Sequence, residues 1–105
     1  MEKFYRHGDL GFTRINKLPL NLKLLNTNII ARGEATGHKH QLLERTESQF
    51  DILEDEKGQM YLSIKQPTDL VHEEHKTITI DKGLYFISHE KEYDYATEEL
   101  KRVAD

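Results

Sequence analysis

Turn-forming residues recur so often that few apolar runs in this chain are long enough for an ordinary helix. Residues 50–53 and 60–64 alternate apolar and polar side chains and flank a polar loop that ends in Gly58. Such alternation on both sides of a short loop is typical of a β-hairpin, in which each strand buries one face. Residues 77–80 and 84–87 flank a similar loop and predict a second hairpin.

Further strands are predicted where apolar runs lie between turn signals, over residues 8–15, 29–31 and 38–44. Residues 20–25 suit either a strand or a helix, because leucine at alternate positions is also a good helix former. Thr97 as an N-cap, with acidic residues after it and basic residues later, predicts a short C-terminal helix. We therefore expect a mainly β protein, a small barrel or sandwich with that helix at its end.

Length and cysteine count limit both the architecture and the chemistry. The 105 residues suit a single β-rich domain, 1–105, with one modest core. The chain has no cysteine, which excludes disulfides and thiolate metal ligands. Residues 1–12 contain no apolar run long enough for a signal peptide, and no segment approaches the roughly 20 apolar residues of a membrane span. We therefore expect a cytoplasmic protein with no membrane association.

Charge is unevenly distributed along the chain, whose formal net charge is −4. Residues 1–45 contain eight Lys/Arg against four Asp/Glu, whereas residues 46–105 contain seven against fifteen. An acidic protein is a poor general nucleic-acid binder, because phosphate binding depends on net cationic contacts. We interpret the asymmetry as solvated surface, with a local basic face in the first half as the alternative.

Two histidine pairs are the main candidates for chemistry, and the first is His38 and His40. Residues two apart on a strand point to the same face, so both imidazoles can approach one metal ion. Glu44 shares that face by the same alternation and could add a carboxylate.

The second pair is His72 and His75, separated by two glutamates. In a helical turn these two residues would be neighbours, whereas in an extended segment they would point to opposite faces. Because a strand pattern resumes at Thr77, we favour an extended or turn conformation. The smallest site is then the first pair with one histidine of the second, supported by Glu44, Glu73 or Glu74. We interpret His7 and His89, which stand alone, as surface residues.

Three imidazoles, or two with a carboxylate, leave coordination positions open to water, as at catalytic zinc and non-haem iron sites. The predicted ligands are His38, His40, Glu44, His72 and His75, and the expected ion is divalent Zn, Fe, Mn or Ni. Solvated histidines with no metal are the alternative interpretation. The sequence contains no phosphate-binding loop, dinucleotide-binding glycine pattern or nucleophile elbow, so it predicts no particular reaction.

One local pattern resembles a known metal motif. Gly33, His38, His40 and Glu44 form G-x4-H-x-H-x3-E, which is similar to the first metal motif of the cupin superfamily. That resemblance implies a small β-barrel in which His38, His40 and Glu44 bind Mn, Fe, Zn or Ni. The spacing from glycine to histidine is one residue shorter than in the common cupin pattern. The second cupin motif, Gly-x5-Pro-x-Gly-x2-His, is not present.

A second resemblance covers more of the chain. The segments TGHKH, LVHEEH, KGLYFISHEKEY and the terminal RVAD resemble a family of short, uncharacterised bacterial and phage proteins. The family implies that the two histidine pairs belong together, and it implies no activity.

Three functions remain open on the sequence. The first is a metal-binding β-barrel protein with a histidine-rich site. The second is an accessory or interaction module of a phage or mobile-element system, without catalysis, that binds a protein partner or a second copy. The third is a metal-free nuclease in which histidines act as acid and base and Arg32, Lys39 or Arg45 steadies phosphate charge.

Overall fold

Ten short strands form the fold over residues 4–32 and 38–89, which are the residues that the computed structural model describes. In chain order the strands are β1 Phe4–His7, β2 Leu10–Ile15, β3 Lys23–Leu25, β4 Ile29–Arg32, β5 Lys39–Leu42, β6 Phe50–Glu54, β7 Met60–Ile64, β8 Thr68–Val71, β9 Ile78–Ile80 and β10 Gly83–His89. Within these ranges no helix is long and apolar enough to cross a membrane. The predicted C-terminal helix, which would begin at Thr97, lies outside the described residues.

The strands form two antiparallel sheets. One has six strands in the order β1-β2-β10-β7-β6-β3, and the other has four in the order β4-β5-β8-β9. The prediction of a mainly β fold is confirmed. A closed barrel is wrong for the described part of the chain, because the strands pair into two separate sheets that end at different strands.

Apolar side chains from both sheets meet in one core. Leu10 and Phe12 from the six-stranded sheet and Leu42, Leu70 and Ile80 from the four-stranded sheet are fully buried within one cluster. Each such side chain contributes roughly 1.5–3 kcal/mol when it is removed from water. Packing one face of each sheet against the other therefore stabilises the fold and sets the position of the strand ends.

The first predicted hairpin is confirmed, because β6 and β7 pair antiparallel. In their connection, the carboxylate of Asp55 accepts the backbone N–H groups of Lys57 and Gln59, at 2.8 and 2.9 Å. Gly58 has a φ of 85°, which glycine adopts without steric cost.

The second predicted hairpin is wrong. β9 pairs with β8 in the four-stranded sheet, whereas β10 lies between β2 and β7 in the other. The loop before Gly83 therefore connects the two sheets. Alternating side chains indicate that each segment is a strand, but they do not identify the neighbouring strand.

The first strand also differs from the prediction. Gly8 and Asp9, expected at the start of a strand over residues 8–15, instead form the two-residue turn between β1 and β2, in which His7 lies opposite Leu10. Gly8 has a φ of 63°, as expected for glycine at the first central position of such a turn. In residues 20–25, only β3 at the end is a strand. The sequence interpretation missed β1 and β8.

Candidate metal centre

The pairing of β5 with β8 brings the two histidine pairs together. Gln41 lies opposite Val71 in this antiparallel ladder, so extending the register by one residue places His40 across from His72. The centroids of these two rings are 4.4 Å apart. The same register places Lys39 across from Glu73. The sequence alone identified the two pairs but not the strand pairing that joins them.

The chain bends after β8, so both histidines of the second pair join the cluster. The backbone N–H of Glu74 donates to Nδ1 of His72 at 3.0 Å, and the His72 and His75 ring centroids are 4.5 Å apart. A straight strand would have directed the two rings to opposite faces. The turn conformation, which was one of the expected alternatives, therefore brings the imidazoles of both His72 and His75 into the cluster.

His7 was predicted to be a surface residue, and that prediction is wrong. Its side chain lies at the end of β1 and is only 2% exposed. Nδ1 of His7 lies 2.9 Å from Nδ1 of His40, and its Nε2 lies 2.9 Å from the carbonyl oxygen of Lys76. The hydrogen bond to His40 links the two sheets. His89 is exposed, as predicted.

The sequence did contain a signal for His7, although a partial one. Gly-Asp is a common two-residue hairpin turn, and it directly follows this histidine. Recognising that turn would have placed His7 at the end of a paired strand. The identity of its partner, 33 residues further along the chain, depends on how the sheets pack.

Three side chains form a group that could hold a metal ion: His38, His72 and Glu73. Each offers one ligand atom, and these atoms all lie within 4.8 Å of one another. Glu73 was one of the three glutamates expected to support the histidines, and it lies just after β8, in the segment opposite Lys39. Two imidazole nitrogens and one carboxylate oxygen suit a first-row transition metal.

The Glu73 carboxylate is held in its ionised form by its neighbours. It accepts the backbone N–H of Lys39 at 3.0 Å, and the Lys39 ammonium lies 3.6 Å away. The backbone hydrogen bond is the main cause that lowers the pKa of Glu73 to about 2. This carboxylate is therefore an anion at every pH at which a neighbouring imidazole is neutral.

The cluster environment favours neutral imidazoles. Burial, followed by repulsion from protonated His72 and His7, lowers the pKa of His40 to about 4. Burial is also the main cause that lowers the pKa of His7 and of His72. Since only a neutral imidazole can bind a metal, burial favours the form of His40 and His72 that metal binding would require.

Glu44 lies apart from this ligand group. It is exposed and stands two residues beyond Leu42, where β5 ends. The alternation that placed it on the face of His40 stops with the strand. Gly33, the first residue of the cupin-like pattern, lies outside the described residues.

Fold and site together define a two-sheet β domain with a histidine and carboxylate cluster where the sheets meet. Residues 6–90 match the family described as Domain of unknown function (DUF8820), and the chain belongs to that family. No curated protein and no solved structure matches the chain. The matched range includes all five histidines of the cluster, which are His7, His38, His40, His72 and His75.

Proposed function

We propose that this protein binds a divalent transition-metal ion through His38, His72 and Glu73, with the rings of His40 and His75 beside them. The observation that carries the proposal is the convergence of three ligand atoms from two distant segments within 4.8 Å of one another. Zn, Fe, Mn and Ni all accept this combination of nitrogen and oxygen ligands.

The ligand group fits an ion after a modest contraction. Ligands at about 2.0–2.1 Å from a tetrahedral ion lie about 3.3 Å from each other. His38 and His72 are partly exposed and Glu73 is exposed, so their side chains can rotate toward an ion without disturbing the core. Three protein ligands leave a position for water, which a bound metal would acidify.

The arrangement supports metal binding over the two alternatives. Lys39 and Arg45, considered for phosphate binding, each face a carboxylate, with Arg45 Nη2 2.8 Å from Asp69. A module that works only through its surface has no need for imidazoles in the interior, where unpaired polar groups are costly. Yet His7 and His40 are both buried, and they lie beside the rings of His72 and His75.

Metal titration of protein purified without a histidine tag tests the proposal. We expect isothermal titration calorimetry to detect Zn²⁺ binding to the wild-type protein. The variants His38→Ala and His72→Ala should bind at least about tenfold more weakly, as expected when a ligand is lost. His89→Ala is the matched control, because it removes an exposed histidine outside the cluster.

Either of two results would contradict the proposal. One is a wild-type protein that binds no Zn²⁺, Fe²⁺, Mn²⁺ or Ni²⁺ after refolding or dialysis against the ion. The other is an equal loss of affinity in His72→Ala and His89→Ala, which would indicate nonspecific binding by surface histidines.

A further inference from the structure

A hydrogen-bonded chain orients the ring of His40. The carbonyl oxygen of Lys76 can only accept, so Nε2 of His7, 2.9 Å away, carries a proton and donates it. In a neutral His7 ring the other nitrogen, Nδ1, is then an acceptor. It lies 2.9 Å from Nδ1 of His40, which must be the donor. In a neutral His40 ring, Nε2 is therefore left with a free lone pair.

The free nitrogen of His40 faces a carboxylate. Nε2 lies 3.4 Å from Oδ1 of Asp9, in the turn between β1 and β2. Two acceptor atoms at this distance repel each other unless a cation lies between or beside them. The separation is close to the roughly 3.3 Å expected between two ligands of one metal ion.

We propose that Nε2 of His40 and the carboxylate of Asp9 form a second metal-binding position, beside the first. This inference rests on the proposed function and extends it to a centre with two ions. Asp9 and His40 are not members of the group formed by His38, His72 and Glu73. His7 is a positioning residue here, since a metal-binding histidine is commonly fixed by a hydrogen bond at its other nitrogen.

His75 lies next to His40 and is exposed, so its ring could rotate toward the second position. Both rings lie next to Gly8. If Gly8 carried a β-carbon, that atom would stand 2.6 Å from Nε2 of His75 and 3.1 Å from Cε1 of His40. The two rings are stacked, with an interplanar angle of 15°. A third ligand from His75 would give two imidazoles and a carboxylate, which is the ligand type of the first position.

The two positions share a boundary. The rings of His40 and His72, one from each position, have centroids 4.4 Å apart. Ions held on either side of this contact would be close neighbours, as in two-metal sites that clamp a phosphate or carboxylate oxygen between them. A proton shared between His40 Nε2 and Asp9 Oδ1 would also remove the repulsion between these two atoms. The number of metal ions bound per chain distinguishes a proton from a metal ion at this position.

Stoichiometry of Zn²⁺ binding, measured by native mass spectrometry and calorimetry on the full chain, tests the second position. We expect two ions per wild-type chain and one in Asp9→Asn, which keeps the shape of the side chain and removes its charge. His38→Ala should also retain one ion, at the second position. Glu56→Gln is the matched control, because it neutralises an exposed carboxylate in the β6–β7 loop, and it should bind two.

The outcomes separate this inference from the proposed function. If Asp9→Asn binds as many ions as the wild type, a proton occupies the position and the second site is refuted, while the first stands. If the wild type binds one ion that both Asp9→Asn and His38→Ala abolish, one mixed site replaces two. If no Zn²⁺ binds, both proposals fail. Should Asp9→Asn lower the melting temperature, Asp9→Ser, which also suits a turn, repeats the measurement.

Discussion

Replacing Gly8 with alanine tests whether the β1–β2 turn holds the histidine cluster in shape. A β-carbon at this position would stand 2.6 Å from Nε2 and 2.9 Å from Cδ2 of His75, closer than such atoms can approach. Gly58 is the matched control. It also has a positive φ, 85° against 63°, but a β-carbon there would meet nothing within 4 Å.

Both substitutions force an alanine into a backbone conformation with positive φ, but only Gly8→Ala also brings a β-carbon against the rings of His75 and His40. An alanine forced to a left-handed φ costs roughly 1–2 kcal/mol, partly offset by the lower entropy of the unfolded chain. His75 is exposed and can rotate away, so its displacement adds little to the free energy of unfolding. His40, 3.1 Å away and buried, must shift slightly, at a further cost of about 0.5–1.5 kcal/mol.

Three measurements test this prediction: the free energy of unfolding in urea, the NMR resonances of the histidine rings, and the affinity for Zn²⁺. We expect Gly58→Ala to lose at most about 1–2 kcal/mol of stability, and Gly8→Ala to lose about 0.5–1.5 kcal/mol more. Only Gly8→Ala should shift the ring resonances of His75 and His40 and weaken metal binding, by about tenfold. Equal metal affinities in Gly8→Ala and Gly58→Ala, with unchanged ring resonances, would refute the placement of His75 against the turn.

Three further predictions concern stability and ligand choice. Gln49→Ala removes four hydrogen bonds made by a buried amide and should cost about 2–4 kcal/mol in urea unfolding, whereas exposed Gln59→Ala should change stability by less than about 0.5 kcal/mol. The pKa of His40 is about 4 in the folded state and 6.5 in the unfolded state, so the unfolded state binds the proton more tightly. Without metal, the free energy of unfolding should therefore fall as the pH decreases below 6.5, by about 2 kcal/mol at pH 5. His40→Gln should make the free energy of unfolding less dependent on pH. Glu44→Gln should leave Zn²⁺ affinity unchanged; a loss of more than about tenfold would instead favour the cupin-like ligand set.

Local chemistry accounts for the parts of the fold that the sequence predicts well. The β6–β7 hairpin was predictable because an Asp and a Gly in its loop supply the hydrogen bonds and the positive φ that the turn needs. The two histidine pairs were visible for a similar reason, since each lies within a few residues of chain. Side-chain alternation also identified most strands.

Packing between distant segments accounts for what the sequence did not reveal. β10 inserts between β2 and β7 rather than pairing with β9, its neighbour in sequence. Both pairings would satisfy the alternation of apolar residues, and only the shared core favours one of them. His7 was wrongly interpreted as a surface residue for the same reason, because its burial depends on a ring 33 residues away, in the other sheet.

The choice between Glu44 and Glu73 as the carboxylate ligand follows from the dimensions of a sheet. Along a straight strand, His40 and a residue four positions later are separated by about 13 Å, so both side chains would have to lean toward each other. Directly opposite residues on paired antiparallel strands have β-carbons only about 4.5–5.5 Å apart. Glu73 comes from the segment opposite Lys39, and its carboxylate accepts the Lys39 backbone N–H at 3.0 Å. For a site built on a ladder, the carboxylate should be sought on the neighbouring strand before it is sought further along the same one.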